Sequence, residues 1–425
     1  MIPRATTLAF AAALAAPALH AQACPNAAQL ARGVSAPLAY VRYLADDALQ
    51  GRMAGTASER CAGDYIAAQF RRLGLRPAGD AGTFFQSLPL ASAINPHAPG
   101  GTGRNVIAIL PGANPALAGE AVVIGAHYDH LGHGGTFSMA PGDSSVHNGA
   151  DDNASGVAVL IDVARRLSSG PRPARAIVFA AFTGEEEGLL GSAFQAAHPA
   201  VPLERTRAML NLDMVGRLGA GPLIVYGVET AEEWKAMVDS AALAEGVAVR
   251  GGGDGFGASD QTSFYARGLP VLHFFTNVHA DYHRPGDDWE KIDAAGLTQV
   301  AAVVERVARA VANRPSALTF RRAAPRPDAP AAATPGYGAY LGTVPDFTPV
   351  PDGVKLSGVR AGSPAEQAGI RAGDVLVKVG EMDVHDLQGM TDALRAHKPG
   401  DVVRIDVLRD GRRVTVTATL GTRGG

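Results

Sequence analysis

Five polar stretches each end an apolar run, open a helix or sit in the loop after a strand. They are His127-Tyr128-Asp129 after AVVIGA, Ala150-Asp151-Asp152-Asn153 before ASGVAVLIDVARRLS, Glu185-Glu186-Glu187 after AIVFAAFTG, Asp213 after AMLNL, and His283 in the loop NVHADYHRPGDDW that follows LPVLHFFT. Together they offer imidazoles and carboxylates but no thiol. That donor set suits a hydrolytic zinc site, and more than three candidate ligands suit a pair of ions. Each stretch alone also has a plain structural reading. Asp151-Asp152-Asn153 is an ordinary turn and helix cap. Three glutamates are an ordinary acidic first helical turn, favoured by the helix dipole. What distinguishes them is their recurrence at one strand end after another.

The elements that must position them alternate between strand and helix. NVIAILPG, AVVIGAHYD, ARAIVFAAF, RAMLNLD (207–213), PLIVYG and LPVLHFFT read as strands. Residues 154–168, 230–245, a short stretch near 259–267 and 294–313 read as helices; in the first, Val157, Leu160, Ile161, Ala164 and Leu167 share one helical face. Apolar strands separated by helices predict an α/β fold with a mostly parallel, helix-covered sheet. In such sheets ligands bind beyond the carboxyl ends of the strands. The scattered His and acid residues therefore converge on one rim.

Lys and Arg number 38 against 41 Asp and Glu, a net charge of −3, so the chain has no basic surplus with which to neutralise nucleic-acid phosphates or an anionic membrane. Residues 1–23 read as a secretory signal, with Arg4 ahead of the apolar run ATTLAFAAALAAPAL and a cleavage context at Ala21-Gln22-Ala23, Leu19-His20-Ala21 being the competing one. The run is shorter than a transmembrane span, and no later segment qualifies. The expected location is therefore the periplasm or the outside of the cell. Cys24, directly after this segment, also leaves lipid anchoring open, in a poor sequence context. The only cysteines are Cys24 and Cys61, and in an oxidising compartment the preferred reading is a disulfide between them. Residues 314–336 are rich in Pro and Ala and read as a linker. They divide a large region, 24–313, from a small one, 337–425.

The order HYD, GADDNASG, TGEEEGLLGS, NLDM and DYHRPGDD resembles the M28 family of co-catalytic zinc metallopeptidases, across about residues 100–313. The resemblance implies a zinc-exopeptidase (phosphorylase/hydrolase-like) fold holding two Zn2+ per chain. It implies His127, Asp152, Glu186, Asp213 and His283 as the ligands. Asp152 would bridge the ions, His127 and Asp213 would complete one shell, and Glu186 and His283 the other. Glu185 would be the general base. Asp129, two residues after His127 on an extended segment, would orient the imidazole. Relatives also hold the bridging Asp in a cis peptide, here Asp152-Asn153. One departure is Phe256, in GFGASDQTSF: some relatives carry there a tyrosine near the developing oxyanion, and phenylalanine has no hydrogen to donate. His130 and His133, in a Gly-rich loop, read as solvated loop residues, with lining the site as the alternative, and His147, His273 and His279 have no assigned role.

In the small region Ser363-Pro364 opens a short helix that Gly369 ends, and Asp410-Gly411 marks a hairpin. This region is similar to bacterial-type PDZ domains. The resemblance implies that Tyr340, Leu341, Gly342 and Thr343 form the loop that holds a peptide's terminal carboxylate, beside a groove that takes the peptide as an added strand. The alternative is a domain that only packs against the large region. The whole chain thus reads as a metal-dependent exopeptidase acting on peptide substrates, with aminopeptidase activity favoured. A carboxypeptidase of the same family, a glutaminyl-cyclase-like acyltransferase and a catalytically silent binding protein remain open.

Overall fold

The structure is a computed structural model. It describes residues 24–90, 100–117, 119–135, 137–138, 140, 142–253, 255, 257, 259–277, 279–322, 339–345, 350, 352–359, 362–385, 390, 393–394 and 396–421. The signal segment, Phe256 and residues 323–336 of the linker lie outside the described residues.

The large region contains strands β1 (Arg76–Pro77), β2 (Phe85–Pro89), β3 (Thr102–Leu110), β4 (Ala121–His127), β5 (Ala176–Phe182), β6 (Thr206–Leu212), β7 (Leu223–Tyr226), β8 (Val249–Gly252) and β9 (Val271–Phe275). Its helices are α1 (Ala27–Leu30), α2 (Ala36–Leu44), α3 (Ala57–Arg72), α4 (Gly156–Ser169), α5 (Leu190–Ala197), α6 (Trp234–Ala244), α7 (Gln261–Tyr265) and α8 (Ala294–Asn313). Among the described residues the nine strands form one sheet in the order β1-β3-β5-β4-β6-β9-β7-β8, with β2 also on β3. Its centre, β5-β4-β6-β9, is parallel. The pairs β1–β3, β2–β3, β3–β5 and β7–β9 are antiparallel. Strands buried on both faces read as unbroken apolar runs, and β4 and β5 are buried at every residue.

The period of two then divides each strand between two cores. Val122, Ile124 and Ala126 of β4 pack with residues of α2, α3, α4 and α8, such as Leu44, Ile66, Leu160 and Val304. Ala121 and Val123 face the other way, with Ala196 of α5 and Phe264 of α7. Register brings the carboxyl ends together, with His127 beside Phe182 and Leu212 beside Phe274. The segments carrying His127, Glu185, Asp213 and His283 therefore leave the sheet at one edge.

Three elements differ in extent from the sequence reading. Helix α4 starts at Gly156 because residues Ala150–Ser155 form one wide π-type turn. The helix expected over 230–245 starts at Trp234, because the Thr230 hydroxyl donates to the carbonyls of Gly227 and Val271 in a separate turn. Residues 314–322 lie against the large region: Phe320 bridges Ala231, Leu318 is buried in the main core, and the Glu233 carboxylate accepts from the Thr319 N–H at 3.0 Å. Cys24 and Cys61 form a disulfide that ties the first described residue to α3. Among the described residues no helix is long and apolar enough to cross a membrane.

The small region has its own core, which includes Leu341, Leu356, Leu376 and Ile405. Among the described residues its six-stranded sheet comprises β10 (Thr343–Pro345), β11 (Val354–Val359), β12 (Val375–Val379), β13 (Met382–Asp383), β14 (Val402–Arg409) and β15 (Arg412–Thr419), with helix α9 at Pro364–Gln367. Asp410 and Gly411 join β14 to β15 with φ of 52° and 76°, the left-handed pair that a two-residue hairpin turn requires. Ser363 caps α9 by accepting the Glu366 N–H.

Candidate metal centre

His127 is the last residue of β4, and its Nε2 lies 3.3 Å from Asp152 Oδ1 and 3.4 Å from Asp213 Oδ1. His283 Nε2 lies 3.1 Å from Asp152 Oδ2 and 3.4 Å from Glu186 Oε2. The carboxylate of Asp152 thus stands between two imidazoles, one on each oxygen. The opposite ring nitrogens contact backbone carbonyls, which only accept: His283 Nδ1 donates to Phe137 O at 2.9 Å, and His127 Nδ1 faces Asp129 O at 3.3 Å. In the neutral rings this leaves the Nε2 lone pairs aimed at carboxylate oxygens. Asp213 Oδ1 is buried without a hydrogen-bond partner among the described residues. Lone pairs opposed to lone pairs in a buried site need positive charge between them. The arrangement fits divalent cations.

Local sequence explains how the loop holds Asp152. Asp287 Oδ2 accepts the backbone N–H groups of Asp151 at 2.8 Å and Asp152 at 3.0 Å. Arg217 holds the other oxygen of Asp287 at 2.8 Å. Asn153 donates to Leu212 O and accepts from Gly156 N, tying the turn to the end of β6. A Cβ at Gly156 would fall 2.2 Å from Asn153 Oδ1, so only glycine fits there. The Asp152-Asn153 peptide is cis. Met214 and His283 take left-handed backbone angles, φ 50° and 53°, an unfavourable conformation that tends to mark functional sites.

The Asp129 carboxylate engages the loop after β5 more closely than it does His127. It lies 3.8 Å from His127 Nδ1, beyond hydrogen-bond range, and the nearer group is its own backbone carbonyl. Its two oxygens instead accept the N–H groups of Glu185 at 3.1 Å and Glu186 at 3.3 Å, fixing the loop after β5. Burial is the largest influence on its carboxyl and pushes it up to about 7. Burial, reinforced by Glu186, Asp260 and Asp213, also raises Glu185 well above the carboxylate range. For His127 burial opposes the charged ring, but Glu185, Asp213 and Asp152 outweigh it and raise the imidazole well above its usual value. Burial dominates the two carboxyl shifts, and neighbouring acids dominate that of His127.

Several residues of the site carried no sequence signal. Ser259 Oγ donates to Asp213 Oδ2 at 2.7 Å and accepts from Asn211 Nδ2 at 2.8 Å. Arg52, fully buried, donates to the carbonyls of Tyr128, Leu44, Asn148 and Gly149, pinning both the HYD segment and the approach to Asp152. His130 is a correction: it is 1% exposed and its Nδ1 lies 2.8 Å from Glu186 Oε1. His133 is exposed, between Ser144 O and Gln50. His147 and His273 are buried, and His279 is 3.1 Å from Asp151 Oδ2.

In the small region Tyr340 bridges Gly421, Leu341 O accepts the Ala365 N–H at 2.8 Å, and Gly342 has φ 83°. A Cβ at Gly342 would lie 2.3 Å from Ser363 Cβ, so the loop backbone sits directly on the start of α9.

Two parts of the chain match known family models. Residues 105–308 match the model for peptidase family M28, and residues 340–420 match a PDZ domain model. Aminopeptidase YwaD of Bacillus subtilis (strain 168) is 31% identical over 223 residues, 48% of this chain and 43% of that protein. The chain spans about half the length of the curated relatives it matches. Among solved structures, a Zn-dependent exopeptidase from Parabacteroides distasonis superposes with a TM-score of 0.54 at 24% identity, covering 69% of this chain and all of that one. Porphyromonas gingivalis glutaminyl cyclase superposes at 0.53 with 23% identity, over 64% of this chain and 96% of that one. At these identities the superpositions establish a shared fold.

Proposed function

Residues 105–308 being a peptidase family M28 domain and residues 340–420 a PDZ domain, we propose that the chain is a dinuclear zinc exopeptidase that removes N-terminal residues from peptides. The observation that carries this reading is Asp152, whose two oxygens face the Nε2 atoms of His127 and His283. His127, Asp213 and Asp152 would hold one ion, and His283, Glu186 and Asp152 the other. When bound, the pair supplies Lewis acidity, which acidifies water and polarises the scissile carbonyl, and a seat for the substrate's free amine.

The chain's own residues do the rest. Glu185 follows β5 directly beside Glu186, half-buried, where desolvation and neighbouring acids make its ionised carboxylate a stronger proton acceptor. Such a carboxylate accepts the proton of the attacking water and returns it to the leaving amine. Asp129 fixes the backbone that carries Glu185, and Ser259 fixes Asp213. The test is a panel of aminoacyl chromogenic amides, free or blocked at the amine, with and without chelator. Chelator-sensitive release from the free amides alone is expected. Turnover of an amine-blocked peptide with a free C-terminus, run beside the amides, would make it a carboxypeptidase. An N-terminal glutaminyl peptide in the same panel tests the cyclase alternative, whose product is pyroglutamate.

For the small region we propose capture of peptide C-termini at Tyr340–Thr343, supported by the PDZ match and the tight Gly342 turn. Calorimetry with C-terminal peptides and their amides tests it; equal binding of both rejects carboxylate recognition. Residues 1–23 would export the chain to the periplasm or beyond. N-terminal sequencing of the protein made in a bacterial host tests this, with retention of Met1 rejecting it.

A further inference from the structure

His130 lies three positions beyond His127 and is not part of the ligand set proposed above. Its ring is held on several sides. The backbone N–H donates to Arg52 O at 3.3 Å, and the ring meets that of His283 edge-on at 5.7 Å. A Cβ at Gly149 would fall 2.5 Å from His130 Cδ2, so the loop before Asp152 has room for the ring only because residue 149 is glycine. Ligand atoms of His130, Asp152 and Glu186 all lie within 4.8 Å of one another.

The division of labour at Glu186 is specific. Oε1 lies 2.8 Å from His130 Nδ1, and Oε2 lies 3.4 Å from His283 Nε2. An ionised carboxylate only accepts, so His130 Nδ1 is the donor. Its Nε2 is buried with no hydrogen-bond partner among the described residues, so the ring is engaged through one nitrogen only.

Resting on the dinuclear reading, we propose that His130 is a positioning residue that occupies Glu186 Oε1 and restricts Glu186 to binding its ion through Oε2 alone. Restricting the carboxylate to one oxygen keeps a coordination position free for substrate. Partners of this kind hold ligands in orientation, and their loss typically weakens metal binding by about 10–100-fold.

The experiment titrates the metal-free full-length protein with Co2+ and records stoichiometry, affinity and the visible spectrum for wild type, His130→Ala, His130→Asn and His130→Gln. Asparagine places an N–H where Nδ1 stands, whereas glutamine places it where Nε2 stands. Wild type is expected to bind two ions. His130→Ala should keep the affinity of one ion, weaken the other roughly 10–100-fold and change the spectrum of that site. His130→Asn should restore both readouts and His130→Gln should not. Should His130→Ala fail to fold, the Asn and Gln variants decide between themselves. Unchanged second-ion affinity in His130→Ala, or Asn and Gln variants that behave alike, overturns the proposal while leaving the dinuclear reading intact. Wild type that binds fewer than two ions overturns the dinuclear reading and this proposal with it.

Discussion

The carboxylate of Asp129 accepts the backbone N–H of Glu185 at 3.1 Å, joining the loop after β4 to the loop after β5. The second oxygen does the same for Glu186. One buried acid thus sets the backbone under both the proposed base and a proposed ligand. Asp129→Asn leaves one of those N–H groups facing a donor. Turnover should fall about 10–100-fold, with weaker binding of the ion held by Glu186. Kinetics together with metal titration check this; wild-type values for both would return Asp129 to a purely structural role.

Glu185→Gln preserves shape and removes the proton acceptor. Turnover should fall by about 10²–10⁴, while metal content, read by elemental analysis, stays near that of wild type. Near-normal turnover would take the base role away from Glu185.

Asp152→Asn removes the charge shared by two imidazoles. Both ions should be lost together, because each depends on that carboxylate. Loss of a single ion, measured by titration, would show that Asp152 serves only one of His127 and His283.

A stability prediction lies at the far end of the strands. Glu120 accepts from Arg207 Nε at 2.8 Å and Arg175 Nε at 2.6 Å. The hydrogen bond from Arg207, aided by Arg175 against a smaller effect of burial, lowers its carboxyl from 4.5 to about 2. A depressed acid stabilises the fold above its unfolded pKa and loses that contribution as pH falls through the folded value. Wild type should therefore exceed Glu120→Gln by roughly 2 kcal/mol at pH 7. The gap should shrink between pH 5 and pH 2. Denaturant melts across that range check it, and a gap independent of pH would mean that the ion pairs contribute nothing.

Much of this was legible from composition and spacing. Residues 294–313 read as a helix, and α8 spans Ala294–Asn313. Asp410-Gly411 specifies its turn because few residue pairs accept two positive φ angles. His127 and Asp213 were legible as candidates because acids and imidazoles at the ends of buried apolar strands are costly without partners. The N-terminal helices α2 and α3 were not read. Their apolar runs are brief and interrupted by polar or charged residues, and packing against α4, α8 and β3 decides their burial.

The sequence by itself determined the donor types, their order along the chain and the strand ends on which they sit, since these follow from local periodicity and chemistry. Only the tertiary structure decided what each side chain touches. Asp129 faces the Glu185 loop and His130 faces Glu186, because the parallel register of β4 against β5 sets those strand ends side by side. A histidine in a Gly-rich loop carries no local sign of burial. Its environment comes from Arg52, Gly149 and His283, residues distant in sequence that meet only once the sheet has assembled.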